Sequence, residues 1–137
     1  MGLKHAFRVL HNHLRERAKR GSVIAQKITG EPPRSDKWPK VEKEHLAIQP
    51  KCAACNGSQR LNVHHKQPFH LHPELELDQN NLITLCMGTM ECHIRIGHGD
   101  DFKMYNPNVV ADSADVLAHP EKRAEIEAKA RAGRLTN

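Results

Sequence analysis

Aromatic side chains are scarce in this 137-residue chain: one Trp, one Tyr and three Phe, 4% of the residues, within a hydrophobic fraction of 38%. A chain this short and this poor in large apolar groups buries little surface per residue, so it is a candidate for an added staple such as a metal ion. Long apolar runs are missing too, so no membrane-spanning helix is expected. The opening "MGLKHAFRVLHNHLRERAKR" is too charged for the apolar region of a secretory signal. It also lacks the Ser or Thr at position six that a myristoylation signal wants. These absences predict an intracellular, cytoplasmic protein. There are no internal repeats and no long low-complexity tract.

What is present is unevenly distributed. The net charge is +5, yet residues 1–51 hold twelve Lys/Arg against five Asp/Glu, while residues 52–99 hold three against four and residues 100–137 six against seven. A basic segment beside near-neutral ones suits a polyanionic partner, nucleic acid first. The plainer alternative is a solvated helix that aids solubility. Within that segment Phe7, Leu10, Leu14 and Ala18 recur at helical spacing among Arg8, Arg15, Arg17, Lys19 and Arg20. The pattern predicts a basic amphipathic helix over residues 3–20, its stripe more at home on the protein's own core than on a membrane. "TGEPPRSD" then reads as a linker, because Pro32 and Pro33 cannot continue a helix. "SDKWPKVEKEHLAIQP" predicts a short helix with Pro39 in its first turn, Pro50 at its end, and Trp38, Val41 and Leu46 as core contacts.

Between Lys51 and Asp100 the pattern changes. "RLNVHH" and "NLITL" have strand character, and "TMECHIRIG" predicts a short helix stopped by Gly97. Beyond it, "NPNVVADSADVLA" reads as loop and helix, and "HPEKRAEIEAKARAGR" as a terminal helix with Pro120 at its start. The expected class is therefore α+β. The expected division is an arm and linker over residues 1–36, a core over 37–105 and a helical extension over 106–137.

Four cysteines fall in that core. Cys52 and Cys55 flank two residues, and Cys86 and Cys92 flank five. Four thiolates at one tetrahedral ion match structural zinc. The alternatives are two disulfides, which an intracellular chain disfavours, or four buried free thiols. Eleven histidines are many for this length, and six of them lie in residues 52–99. His64 and His65 are adjacent at the end of a strand, so their side chains point to opposite faces and suit different tasks. His70 and His72 read as solvated loop residues.

In order, "CAAC", "VHHKQPF", "NLITLC" and "ECHIRIGH" resemble the HNH nucleases, the ββα-metal family, over residues 51–99, about a third of the chain. The family usually carries Asp-His where this chain has His64-His65, but its colicin-type toxins also use His-His. The resemblance implies that His64 and His93 are metal ligands, that His65 is the general base, and that Asn81 braces the loop orienting it. His98 resembles the last histidine of the colicin-type pattern, with four intervening residues instead of three. Five steps along an ideal α-helix turn about 140° beyond one full turn, so His93 and His98 would not share a face unless Gly97 ended the helix and swung His98 back. Lys66 and Arg95 are candidate phosphate contacts. The cysteine set would be a structural zinc staple.

The implied activity is metal-dependent endonucleolytic hydrolysis of double-stranded DNA, leaving 5′-phosphate and 3′-hydroxyl ends. The chemistry needs a neutral imidazole to take a proton from water and a divalent cation to offset phosphate charge. Imidazole ligands suit zinc, nickel, cobalt or manganese, and the family also permits magnesium. No helix-turn-helix, zinc-finger array or other reading module is evident, so sequence preference should be weak and binding strongly salt-dependent. "KWP" before "CAAC" and "NPNV" after "GHGDDF" resemble phage and prophage HNH proteins, which implies a bacterial or phage-infected host. A non-catalytic, zinc-stabilised nucleic-acid adaptor is the alternative; it would dispense with His65 and Asn81.

Overall fold

The computed structural model describes residues 32–137. The basic helix expected over residues 3–20 and the linker up to residue 31 lie outside them. Residues Asp36–Asn137 form one unit, a small α+β fold. Its elements in chain order are α1 (Trp38–Ile48), β1 (Leu61–His65), β2 (Leu82–Cys86), a π-helical turn (His93–Gly97), β3 (Met104–Tyr105), α2 (Val109–Ala118), α3 (Arg123–Gly133) and β4 (Leu135–Thr136). Short 3₁₀ turns at Pro73–Leu75, Gln79–Asn81 and Pro120–Lys122 punctuate the loops.

Helix α1 starts where Pro39 supplies a preset φ within the first turn, and it stops before Pro50. Its buried residue is His45, not the expected trio: Trp38, Val41 and Leu46 are only half-buried. His45 Nδ1 meets Gln79 Oε1 at 2.9 Å and Nε2 meets Gln49 Oε1 at 3.3 Å. Gln49 then fastens the helix end to β2: the Thr84 N–H donates to its side-chain oxygen at 2.7 Å, and the Thr84 hydroxyl donates to its carbonyl at 2.8 Å. A buried polar threonine in the middle of β2 is thereby satisfied.

Strands β1 and β2 pair antiparallel, with Leu61 opposite Cys86 and His65 opposite Leu82. The strand expected from "NLITL" is β2, and all five of its residues are buried. Leu85 is fully buried, and its side chain alone is worth about 1.5–3 kcal/mol of transfer free energy. A two-stranded ribbon is marginal by itself. Here the core beneath it adds Cys52, Ala54, Cys86, Cys92 and Ile96, together with Val109 and Val116 of α2 and Ile126 of α3. Three cysteines among so few core residues mean that this core is not purely hydrocarbon. The small ribbon β3–β4, with Met104 opposite Thr136 and Tyr105 opposite Leu135, straps the chain's last residues to the loop behind the π turn. No helix among the described residues is long and apolar enough to cross a membrane.

Candidate metal centres and the histidine pair

The turn "CAACN" folds back on itself: Asn56 N–H donates to Cys52 O at 2.9 Å and Cys52 N–H to Gly57 O at 2.8 Å. Asn56 takes a left-handed φ of 60°, which asparagine tolerates better than most residues. Ala53 N–H reaches Thr84 O at 2.9 Å, docking the turn on β2. Cys86 ends β2 and Cys92 precedes the π turn. Sulfur atoms of Cys52, Cys55, Cys86 and Cys92 all lie within 4.8 Å of one another, and those of Cys55 and Cys86 are 3.6 Å apart. Four sulfurs around a zinc ion, each about 2.3 Å from it, are about 3.8 Å apart. The cluster can therefore hold a structural zinc ion. The hydrogen bond between Cys52 and Cys92 pulls the Cys52 thiol below its usual range and pushes the Cys92 thiol up. Arg123 of α3 lies against the cluster, its Nη1 donating to Cys92 Sγ at 3.3 Å, its Nη2 to Met90 O at 2.6 Å and its Nε to Glu127 at 2.6 Å.

The second cluster unites residues from two elements. His64, on β1, and His93 and His98, at either end of the π turn, each place one ring nitrogen within 4.8 Å of the others. Their ring centroids form a near-equilateral triangle of 4.8, 5.0 and 5.1 Å. This convergence departs from the ideal-helix expectation for His93 and His98. In a π turn the hydrogen-bond step lengthens from four residues to five, so residues five apart return to one face. Gly97 permits it by absence: a Cβ there would sit 3.2 Å from Leu85 Cδ1 and 3.3 Å from the His64 ring.

The hydrogen bonds fix where the lone pairs point. His98 Nδ1–H donates to Met104 O at 2.7 Å. His93 Nδ1–H donates to Asn62 Oδ1 at 3.1 Å, and Asn62 shows its oxygen because its Nδ2 donates to Leu61 O at 3.0 Å. Both rings thus carry the proton on Nδ1 and a lone pair on Nε2, and these Nε2 atoms are 3.3 Å apart. Two lone pairs facing each other at that distance repel unless a cation lies between them. Donors about 2.0–2.1 Å from a tetrahedral ion are about 3.3–3.4 Å apart. His64 Nε2 is buried without a hydrogen-bond partner among the described residues. Burial holds the His64 imidazole well below its usual range, with repulsion from His93 and His98 adding to it. Burial likewise pulls His93 down to about 4, and it lowers His98 against the opposing pull of the Met104 carbonyl and Asp101. All three shifts favour the neutral imidazole, the state a metal ligand requires. The residues fit a divalent cation.

His65 faces the other way. Its Nε2 meets Glu76 O at 2.9 Å, and its ring lies 4.6 Å from that of Trp38. A carbonyl can only accept, so Nε2 carries the proton and Nδ1 the lone pair. Asn81 closes the loop between the strands: its Oδ1 accepts from Gln67 N–H at 2.9 Å, while its Nδ2 donates to Gln67 O at 3.0 Å and Leu75 O at 3.4 Å. Glu76 lies within the loop so closed. Lys66 and Arg95 belong to neither cluster. Lys66 Nζ donates to Asn80 O at 2.8 Å; Arg95 pairs with Glu91 at 3.1 Å and with Glu127 at 3.9 Å. His72 pairs with Glu74 at 3.1 Å and belongs to neither cluster.

Three participants were not legible as such in the sequence. Asn62 is separated from His93 by thirty residues, and only its position two before His64, on the same strand face, hints at its part. Phe102 packs on the rings of His98 at 4.9 Å and His93 at 5.8 Å while remaining half exposed. Arg123 lies in the helix expected over residues 119–134, whose sequence gives no sign of contact with the cysteines thirty or more residues before it.

The fold and its side-chain clusters thus define a small α+β protein with a cysteine set able to hold a structural metal and, beside it, a three-histidine set. Comparison with protein-family models, with curated proteins and with solved structures finds no match to this chain.

Proposed function

We propose that this protein is a metal-dependent endonuclease of the HNH type, hydrolysing phosphodiester bonds of double-stranded DNA. The observation that carries the reading is the pair of tasks around one dipeptide. His64 turns into a cluster with His93 and His98, with imidazole nitrogens within 4.8 Å, while His65 turns to the opposite face and is oriented by the Glu76 carbonyl.

In this reading His64, His93 and His98 hold a divalent cation, and its three neutral ligands favour zinc, cobalt or nickel over magnesium. The cation, when bound, offsets the phosphate charge and stabilises the departing 3′ oxygen. His65 is the general base, taking the proton of the attacking water at Nδ1, since Nε2 is committed to Glu76 O. Asn81 holds the loop that carries that carbonyl, through its paired bonds to Gln67. The four cysteines hold a structural zinc that fixes Cys86 at the end of β2 and Cys92 next to His93, giving the ββα-metal core its staple. Lys66 is the better placed phosphate contact, since only a neutral carbonyl occupies its ammonium; Arg95 is already offset by two carboxylates. The basic residues of the first 51 positions supply further backbone contacts without reading sequence.

Supercoiled plasmid tests the proposal. Wild-type protein with zinc, cobalt, nickel, manganese or magnesium should nick it, chelator should stop the reaction, and His65→Ala should lose activity while retaining both ions. Nicking that is absent from the wild type, or undiminished in His65→Ala, rejects it; DNA binding without any cleavage would support the adaptor instead.

A further inference from the structure

We infer that Asn62 is a positioning residue that sets the metal affinity of the histidine cluster by dictating which nitrogen of His93 is offered to the ion; this rests on the metal-binding reading of that cluster. The three histidines are not held alike. His98 is oriented by a main-chain carbonyl, Met104 O, at 2.7 Å, which no substitution at residue 104 removes. His64 is gripped by burial, 3% exposed, with its ring close against Gly97. His93 is half-buried, packed on one side by the exposed ring of Phe102, and its single polar anchor among the described residues outside the cluster is Asn62 Oδ1 at 3.1 Å.

An amide can present either end, and the end shown here is determined by the Asn62 Nδ2 bond to Leu61 O at 3.0 Å. With the oxygen facing His93, the ring must put its proton on Nδ1 and its lone pair on Nε2, the nitrogen 3.3 Å from His98 Nε2. Without Asn62 the neutral ring is free to exchange tautomers. The form with the proton on Nε2 would donate to His98 Nε2 and satisfy the pair with no cation present. Asn62 therefore removes a metal-free arrangement that would compete with the ion, and it makes His93 a more basic ligand. Its exposure matters to the test, because an exposed strand residue paired with Leu85 only through the backbone register can change without emptying the core.

The experiment uses the full chain with zinc loaded on the cysteines and cobalt titrated into the second site, read by its visible absorption, for wild type, Asn62→Leu and Asn62→Asp. Outer-shell partners of this kind are worth about 10–100-fold in affinity. Asn62→Leu should weaken cobalt binding by at least about tenfold, whereas Asn62→Asp, which keeps an acceptor oxygen and cannot flip, should bind as tightly as wild type or more so. Urea stability measured before cobalt is added should be the same for all three within error. The cobalt concentration giving half-maximal plasmid nicking should rise for Asn62→Leu, while the rate at saturating cobalt changes little. Asn62→Leu affinity within twofold of wild type, or equal loss in Asn62→Asp, overturns the inference. So does a stability loss already complete without cobalt. If wild type takes up no second ion, the inference and the nuclease reading fall together; if it takes one up but nicks nothing, only the nuclease reading falls.

Discussion

Replacing Gly97 by Ala tests the convergence of the histidines with the smallest possible probe. Alanine in place of glycine ordinarily steadies helical backbone by about 1 kcal/mol. At this position the added methyl would lie 3.2 Å from Leu85 Cδ1 and 3.3 Å from both Cε1 and Nδ1 of His64. Each is several tenths of an ångström short of a comfortable carbon contact. Neither neighbour has room to give: Leu85 is 0% and His64 3% exposed. Overpacking a site that cannot relax costs about 1–3 kcal/mol, so the gain in propensity is offset and Gly97→Ala should be destabilising by about 1 kcal/mol. For a unit of this size that is a fall in Tm of about 4–8 °C. The movement matters more to the site than to the fold. Ligand distances are held to within about 0.2 Å, so displacing the His64 ring by that much should weaken second-site cobalt by about tenfold, equal to about 1.4 kcal/mol. Thermal unfolding monitored by circular dichroism gives the first number and cobalt titration the second. A variant more stable than wild type, with cobalt affinity unchanged, would refute the argument that the π turn is pressed against β1 and β2.

Stability should also fall as the solution is acidified. The unfolded imidazole of His93 takes up its proton near 6.5 and the folded one only near about 4, so the contribution is fully present above pH 6.5 and is lost as pH drops toward 4, a few kcal/mol in all (on the order of 3). His64 acts in the same direction; urea midpoints at pH 7.5, 5.5 and 4.5 should decline, and a flat profile would contradict the burial argument. Asn81→Ala would strand the Gln67 N–H and C=O in a partly buried loop, costing about 1–3 kcal/mol and raising amide exchange across residues 66–81; unchanged exchange would deny Asn81 its bracing part. Stripping the cysteines of metal should lower Tm and also weaken second-site cobalt, because Cys92 and His93 are sequence neighbours on one turn. Persistence of full cobalt affinity in a Cys92→Ser protein would show the two centres to be independent.

Much of the local structure was legible from residues alone. The run "NLITL" announced a strand, Pro39 and Pro50 bracketed α1, and the two-residue spacing of Cys52 and Cys55 pointed to the thiol cluster that the fold completes with Cys86 and Cys92. The opposite orientations of His64 and His65 follow from the pleat of any strand. Other features escaped because they depend on partners distant in sequence. The burial of His45 was not foreseen, because its partner Gln79 lies thirty-four residues away. Trp38, expected in the core, instead lies half-buried beside His65.

The sequence by itself determined which residue types are available, their spacing, and the strand alternation that separates neighbouring imidazoles, because those depend on covalent geometry and short-range sterics. Only the tertiary structure decided that His93 and His98 meet. An α-helical turn would have kept them apart, and the wider π winding was selected by what surrounds it: Leu85 and His64 close against Gly97, Met104 O on His98, Asn62 on His93. Contacts from three separate segments act together there, and no local pattern of residues encodes their sum.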